Sequence, residues 1–514
     1  MDNKLCRLKD FFANRCILIT GGTGFIGMAL IEGLLTSSPD LRRIYVVVRE
    51  KKGLKPAERI SKLLSNEIFD HLSSDSKAKV VPILGDLTAE NFALEPTILA
   101  EIRETVTVVY HSAGLIKFNR SLQETILMNV LSTLRCVELA KSLAKLSAFI
   151  YTSSITANTN IQGKISEKVY KTKRSPKEMI MLALESPSTL DKVPEIKSDM
   201  IEGHVNSYTY SKQLAENLIL EELSGFPAGI VRPALVYGFY EHRIPGWMGR
   251  SMTGQCGQIK GHIKGAVRSM YGDPNSIYYC IPCDHVINCM MALAAFLGTQ
   301  EIPPKLPIVA HLCNNKTINP ITMQDIVNIL NEESWKNPCD TYILLPRIKI
   351  RNGLRKTIHF ALCYIIALAI YIPEKLLKIA PGNMNAINVV EVQSKISAHI
   401  AELTYVLPDV DINVFKNLNG RLHPDDQHQY SFDIARVNWN KLIESSISWM
   451  RNSYYKDSCS VTWMHRVVQM GYLAAEAAIY FSIFLVIIFG LTILFTFKVA
   501  LPIATAFTYL LVWF

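Results

Sequence analysis

Tyr208 and Lys212 stand four residues apart in Ser207-Tyr208-Thr209-Tyr210-Ser211-Lys212, a spacing that puts a phenol and an ammonium on one face of a helix. The ammonium favours the tyrosinate and lowers the phenol's pKa, which makes Tyr208 a workable proton donor near neutral pH. Upstream, an apolar run ends in Tyr151-Thr152-Ser153-Ser154 and offers a hydroxyl to orient a carbonyl. Ser154 is the preferred donor, with Ser153 as the alternative. Ser154, Tyr208 and Lys212 are thus the candidate catalytic residues of hydride chemistry at a carbonyl.

Such chemistry needs a dinucleotide, and Thr20-Gly21-Gly22-Thr23-Gly24-Phe25-Ile26-Gly27 opens a helix directly after the first apolar run. Gly21 permits the tight turn, Gly24 lets the backbone approach a pyrophosphate, and Gly27 lets the helix pack on the sheet. About twenty residues on, where an NAD enzyme presents an acid to the ribose, the sequence reads Val48-Arg49-Glu50-Lys51-Lys52. Arg49, helped by Lys51 or Lys52, can grip a 2′-phosphate, which favours NADPH; Glu50 facing the ribose would favour NAD instead. Asp86, in Leu84-Gly85-Asp86-Leu87, is placed either to accept from the adenine amino group or to form the turn.

The elements that must position these groups are short Val- and Ile-rich runs at Cys16 to Thr20, Ile44 to Val48, Val80 to Leu84, Val106 to Tyr110, Phe149 to Thr152 and Gly229 to Val231. Each is followed by a helical pattern, which predicts a Rossmann-type, doubly wound parallel sheet of the α/β class. The charged, Pro-bearing stretch from Lys164 to Val205 reads as a surface excursion over the site. From Pro233 on, Gly and aromatic residues suggest loops that shape a substrate pocket. A mainly helical C-terminal domain follows, broken at Pro408 and at Asn417 to His428. The boundaries expected are 1–315 for the dinucleotide-binding domain with its substrate subdomain, 316–457 for the helical domain and 466–514 for a membrane anchor.

That anchor rests on Ala477 to Phe497, an uncharged run of roughly twenty-one residues, long enough to cross a ~30 Å hydrocarbon core. Arg451, Lys456, His465 and Arg466 precede it, and the positive-inside rule places the large N-terminal part in the cytosol. Ile358 to Ile372, roughly fifteen residues without a charge, is short for a span and reads as a buried or interfacial helix or a crossing. Val499 to Phe514 reads as a half-span, a second tilted span or an interfacial tail. Met1 to Phe12 lacks the apolar core of a secretory signal. The net charge of +9 comes from thinly spread Lys and Arg residues without a basic block, which argues against nucleic acid. The eleven Cys residues show no paired zinc-ligand spacing, so no metal is expected. Cys280-Ile281-Pro282-Cys283 reads as buried reduced thiols rather than a redox pair.

The chain resembles an extended short-chain dehydrogenase/reductase and, in finer features, the fatty acyl-CoA reductase family. The resemblance rests on Leu18 through Gly27, Arg43-Ile44-Tyr45-Val46 with Arg49, Gly85-Asp86-Leu87-Thr88, Glu167-Lys168-Val169-Tyr170, and Tyr208 to Lys212 with Ala215-Glu216. It continues through Val231-Arg232-Pro233, Pro245-Gly246-Trp247, Gly272-Asp273-Pro274, Asn319-Pro320-Ile321-Thr322 and Tyr430-Ser431-Phe432-Asp433 with Trp439. The sequence departs from the family at Ser153-Ser154-Ile155-Thr156, where relatives are Ser-Thr-Ala-Tyr-like, and at His111-Ser112-Ala113-Gly114, where they often have Cys-Ala-Ala.

The resemblance implies that Leu87, Ala113, Arg232 and Pro233 join Thr20, Gly21, Thr23, Gly24, Phe25, Ile26, Gly27, Arg49, Lys52, Asp86 and Lys212 around the cofactor. It implies two successive reductions of a long-chain acyl-CoA, through an aldehyde to the primary alcohol, on a peroxisomal or endoplasmic reticulum membrane. Phe239, Tyr240, Trp247, Met248 and Met252 are candidates for an acyl tunnel or for plain core. Lys260, Lys264 and Arg268 could meet the CoA phosphates or form a solvated face. A membrane-bound hydroxysteroid or sterol dehydrogenase and a catalytically idle membrane scaffold are the competing readings, and an oligomer is left open.

Overall fold

The computed structural model describes residues 6–51, 53–116, 120–185, 200–249, 254–265, 267, 269–340, 346, 348–351, 407, 409–457, 463–494, 501–502 and 504–505. They fall into two compact units, each discontinuous in sequence. The first is Met1–Gly254, Tyr279–Pro320 and Val406–Asn438; the second is Gln255–Tyr278, Ile321–Tyr405 and Trp439–Phe514. The sequence division at 315/316 is, by contrast, contiguous.

The first unit is built on a seven-stranded sheet in the order β10-β6-β5-β4-β1-β2-β3, every neighbouring pair parallel. Its strands are β1 (Cys16–Thr20), β2 (Arg43–Val48), β3 (Val80–Leu84), β4 (Val106–His111), β5 (Ala148–Thr152), β6 (Ala228–Pro233) and β10 (Ile308–Leu312). A parallel pair, β7 (Leu235–Tyr237) with β9 (Cys280–Pro282), lies beside it. All five residues of β1 and of β5 and all six of β6 are buried, as strands covered on both faces require. All six expected strands are present. The seventh, β10, was not anticipated and extends the sheet beyond β6.

Helices α1 (Phe25–Ser37), α2 (Pro56–Leu64), α3 (Pro96–Thr105), α4 (Ser132–Lys141), α5 (Pro176–Glu185) and α6 (Ser207–Glu222) belong to this unit. Ile102 of α3, Cys136, Val137 and Ala140 of α4, and Ala215 and Ile219 of α6 join strand residues such as Leu18, Val109 and Phe149 in one apolar cluster. The strand order reverses beside β1, which is flanked by β2 and β4. In open parallel sheets ligands bind at the carboxyl ends of the strands at such a switch point, which here are Thr20, His111 and Thr152.

The stretch read as a surface excursion is fastened down at its start, at Ile165 and Glu167, while residues 186–199 of it lie outside the described set. Ile165 is 1% exposed and exchanges backbone hydrogen bonds with Asp409 O (2.8 Å) and Asp411 N (3.0 Å). Glu167 accepts from His311 N (3.0 Å) and from Val414 N (2.7 Å), in the first turn of a helix of Asn413–Arg421. Burial holds the Glu167 carboxyl up at about 6. The expected break at 417–428 narrows accordingly, since Asn413–Arg421 and Pro424–Gln427 are both helical.

The second unit carries α7, which runs Gly254–Ile263, and the parallel pair β8 (Ser269–Tyr271) with β11 (Lys349–Arg351). Helix α8 (Cys283–Gly298) belongs to the first unit and packs there on α1, β5 and β6. The second unit continues with α9 (Met323–Lys336); Asn413–Arg421 is α10, of the first unit, and α11 (Trp439–Trp449) packs on α9. Helix α12 runs 32 residues, Trp463–Leu494, and its first turns are tied to the end of α9 by Arg466 Nη1 and Gln469 Nε2, both donating to Trp335 O (2.7 and 3.2 Å). Among the described residues no helix is long and apolar enough to cross a membrane. The expected span at 477–497 lies in α12 as far as Leu494, with several of its side chains and its last residues outside the described set. A crossing is therefore not a feature of the described fold. Ile358 to Ile372 and nearly all of 499–514 also lie outside it.

Candidate active site

Gly21 adopts φ +74°, and a Cβ there would lie 2.5 Å from Ala113 N. A Cβ on Gly27 would collide with Gly21 O, whereas on Gly24 the nearest atom is Gly21 O at 3.2 Å. The turn is thus pressed against the 112–113 backbone and the helix against the turn. Its apex, Thr23 and Gly24, is exposed, and Gly24 caps α1 without a side-chain hydrogen bond, so first-turn N–H groups face outward as an anion site requires. Among the expected contact residues, Phe25 turns its ring onto Trp247 (5.4 Å) and can serve a ligand only through its backbone.

Arg49 is exposed at the end of β2; Lys52 lies outside the described residues. A second guanidinium stands beside Arg49. Arg59 of α2 donates to Arg49 O (2.5 Å) and to Thr23 Oγ1 (3.3 Å), so it bridges the glycine turn and the end of β2. Burial, then the Arg49 charge, lowers its pKa. Sequence reading missed it because it lies ten residues past Arg49 on a helix of its own; a basic residue on the inner face of α2 was the only signal. Asp86 Oδ1 accepts from Thr88 N (3.0 Å) and Thr88 Oγ1 (2.8 Å), so it forms the turn, and Leu87 within that turn is half-buried.

Helix α6 begins at the Asn206 cap, whose side chain accepts from Thr209 N (3.0 Å). That start sets Tyr208 in the first turn, with Lys212 and Glu216 following along one face. Tyr208 is hydrogen-bonded to Ser154, which itself accepts from Thr156 N (3.2 Å) at the head of a short 3₁₀ turn. Ser153, the alternative, instead donates to Glu216 Oε1 (2.5 Å). Lys212 Nζ donates to Thr152 O (2.8 Å) and Tyr151 OH (3.2 Å).

Two electrostatic findings depart from expectation. Burial raises the Tyr208 phenol to about 12, with the Ser154 hydrogen bond pulling the other way. Desolvation of the phenolate sets the direction, and the lowering expected from the ammonium is not among the causes of the shift. Burial also lowers Lys212 to about 8, against the opposing charge of Glu216.

Arg232 was expected at the cofactor, but it is 0% exposed. Its Nε and Nη2 donate to Glu216 Oε1 and Oε2 (2.8 and 2.5 Å), Nη1 bonds His311 Nε2 (2.8 Å), and Nη2 also donates to Lys168 O (2.8 Å). A guanidinium so engaged is a structural counterion, and only the backbone at Arg232 and Pro233 remains for a ligand.

Asn129, which sequence reading passed over, joins the site from a π-helical turn, Leu127–Leu131. Its Oδ1 accepts from Leu115 N (2.6 Å), and its Nδ2 donates to Leu115 O (3.1 Å) and Ser211 Oγ (2.9 Å). A Cβ on Gly114 would lie 3.2 Å from Asn129 Oδ1 and 3.4 Å from Lys212 Nζ, so glycine keeps the floor beside the lysine open. The tunnel candidates are core: Trp247 and Phe239 are fully buried and stack at 4.9 Å, and Trp247 Nε1 donates to Asn66 Oδ1 (3.2 Å). Met252 and Arg268 lie outside the described residues. In the second unit, Lys260 and Lys264 are buried over the rings of Tyr454 (3.6 Å) and Tyr455 (4.3 Å), neither solvated nor offered to a phosphate.

The model of a family described as male sterility protein, an NAD-binding domain, matches residues 19–290. A Drosophila melanogaster protein that carries the fatty acyl-CoA reductase name is 36% identical over 511 residues, covering 98% of this chain and 93% of its own. Fatty acyl-CoA reductase 1 of Xenopus laevis is 29% identical, covering 85% and 84%. Among solved structures, the terminal R domain from the myxalamid PKS-NRPS biosynthetic pathway is similar in fold, with TM-score 0.60, 18% identity and coverage of 86% and 92%.

Proposed function

The chain belongs to the fatty acyl-CoA reductase family, and on that premise we propose that it reduces long-chain acyl-CoA to the primary alcohol, releasing CoA, with NADPH as reductant. The observation that carries this reading is the cluster of the half-buried Ser154 hydroxyl with the buried Tyr208 phenol and Lys212 ammonium, set where α6 meets the end of β5. The dense turn at Gly21 and Gly27 and the uncapped start of α1 fit a pyrophosphate. Arg49 and Arg59 are the pair suited to a 2′-phosphate.

When bound, NADPH supplies the hydride, and two NADPH with two protons are consumed per alcohol. Ser154 and Tyr208 donate to the substrate carbonyl oxygen and stabilise the oxyanion as it forms. Collapse of the tetrahedral adduct expels the CoA thiolate and leaves an aldehyde. Tyr208 then delivers its proton to the alkoxide of the second reduction, and the Lys212 ammonium offsets the charge left on the phenolate. No cysteine nucleophile is required, because the thioester is already activated.

The substrate's acyl chain favours a bilayer by about 0.8 kcal/mol per CH₂. The uncharged portion of α12 and its exposed Phe481, Val486 and Phe489 support anchoring at a peroxisomal or endoplasmic reticulum membrane, with the catalytic unit facing the cytosol. The domain limits 1–315, 316–457 and 466–514 belong to the same proposal. Incubating purified protein with palmitoyl-CoA and NADPH and identifying alcohol and aldehyde by mass spectrometry tests it, with Tyr208→Phe as control. Turnover of a steroid with no product from palmitoyl-CoA refutes it.

A further inference from the structure

Tyr151 and Thr133 are assigned no part in the chemistry above, yet both sit on the buried side of Lys212. Thr133 Oγ1 donates to Asn129 O at 2.6 Å. With its only proton engaged there, Thr133 meets every other neighbour as an acceptor. His111 Nε2 lies 3.0 Å from that oxygen and must carry a hydrogen. His111 Nδ1 is then the acceptor for Thr20 Oγ1 (2.7 Å), which in turn accepts from Ala113 N (3.3 Å). The ring is neutral, since burial, then the Lys212 charge, holds its pKa down at about 3. Tyr151 stands beside the same Thr133, and toward Lys212 Nζ, at 3.2 Å, its phenol oxygen turns a lone pair, because an ammonium can only donate.

We propose that Tyr151 is a positioning residue that holds Lys212 in its ammonium form, its phenol oxygen accepting from Nζ beside the Thr133–His111–Thr20 chain. The ring contributes as well: Nζ lies 4.8 Å from its centroid, and the ring stacks on His111 at 5.5 Å. The groups that face Lys212 are His111 from β4, Tyr151 from β5, and Tyr208 and Glu216 from its own helix, with Glu216 neutralised by Arg232 of β6. Of these, Tyr151 is the side chain seen to accept from Nζ. The chain ends on Thr20, one residue before Gly21, so the same contacts hold the glycine turn against the 112–113 backbone. The inference rests on the reductase reading for the role of Lys212.

The test follows the ionisation of Lys212 directly, by competitive labelling of the full chain with trace acetic anhydride across pH and peptide mass spectrometry. In Tyr151→Phe, which keeps the ring, the labelling midpoint of Lys212 falls by about one to two pH units, the worth of one hydrogen bond to a buried charge. The alkaline limb of the palmitoyl-CoA reduction profile moves with it. A folded Tyr151→Phe protein with an unshifted midpoint overturns the assignment. A wild type inert toward palmitoyl-CoA, with the midpoint shifted in Tyr151→Phe, leaves the clamp standing and refutes only the reductase reading.

Discussion

Glu216 and Arg232 form a fully buried pair, both side chains 0% exposed and the guanidinium held through two nitrogens. Replacing Glu216 with Gln leaves an uncompensated guanidinium in an apolar interior, which costs about 3–5 kcal/mol. It also weakens the acceptor of Ser153 Oγ. At about 2 °C per kcal/mol for a unit of this size, the melting temperature falls by roughly 6–10 °C. Arg232→Met strands the carboxylate and produces a loss of the same order. The double variant recovers part of either loss, because a coupled pair gives strongly non-additive single effects. Scanning fluorimetry and cofactor titration on all four proteins measure this. If Arg232→Met weakens cofactor binding tenfold or more while the melting temperature holds, the guanidinium is a ligand contact and its assignment as counterion is wrong.

Replacing both Arg49 and Arg59 with Ser raises the KM for NADPH about 10- to 100-fold and leaves that for NADH nearly unchanged, the loss of one or two charge-assisted hydrogen bonds; steady-state kinetics with both cofactors reads this, and equal losses count against the pair. Gly21→Ala abolishes cofactor binding in fluorescence titrations, since a Cβ meets Ala113 N at 2.5 Å from a φ of +74°, whereas Gly24→Ala, with its nearest atom at 3.2 Å, retains it. Stability declines on acidification. His111 and His311 are both lowered from 6.5 to about 3, so between those values the unfolded chain binds protons that the fold refuses. The contribution is complete above 6.5 and falls by ~1.4 kcal/mol per pH unit for each ring below it; His204, lowered to about 4, is a third such ring, so denaturant melts at pH 7 and 5 show whether His111→Gln removes about a third of the slope.

What the sequence disclosed was what lies close along the chain. The glycine turn and the Tyr208–Lys212 spacing are local patterns, and β1, β2, β4, β5 and β6 are legible because strands buried on both faces become apolar runs, while the partly buried edge strand β3 shows through its Val and Ile residues. Ile308–Leu312 escaped because His311 interrupts its apolar run and the Pro-rich 303–307 precedes it, so nothing local separates it from a loop. The residues that tune the site are the ones assembled across strands. Asn129 reaches Ser211, His111 reaches Thr20, and Arg59 reaches Thr23, contacts that depend on which face each residue shows. Arg232 illustrates the opposite error. The family resemblance puts its side chain at the cofactor until the partner is found on α6, sixteen residues earlier in the chain.

Adjacency likewise set the sign of the Tyr208 shift wrongly, because spacing shows that a phenol and an ammonium are neighbours but not that both are dehydrated. Burial acts on each group against its charged form, raising the phenol to about 12 and lowering the ammonium to about 8. A phenol at about 12 is protonated throughout the physiological range, so Tyr208 is always loaded as a donor and its own titration leaves no mark on activity near neutrality. The group whose charge changes within reach of the assay is Lys212. An alkaline loss of activity near pH 8 should therefore persist when the proton donor is weakened by mutation of Ser154, whose hydrogen bond bears on Tyr208, and should move when the surroundings of Lys212 are changed. Ser154→Ala, with a depressed rate but an unmoved alkaline limb, is the expected result; a limb that moves with Ser154 would assign the titration to Tyr208 and reverse the argument.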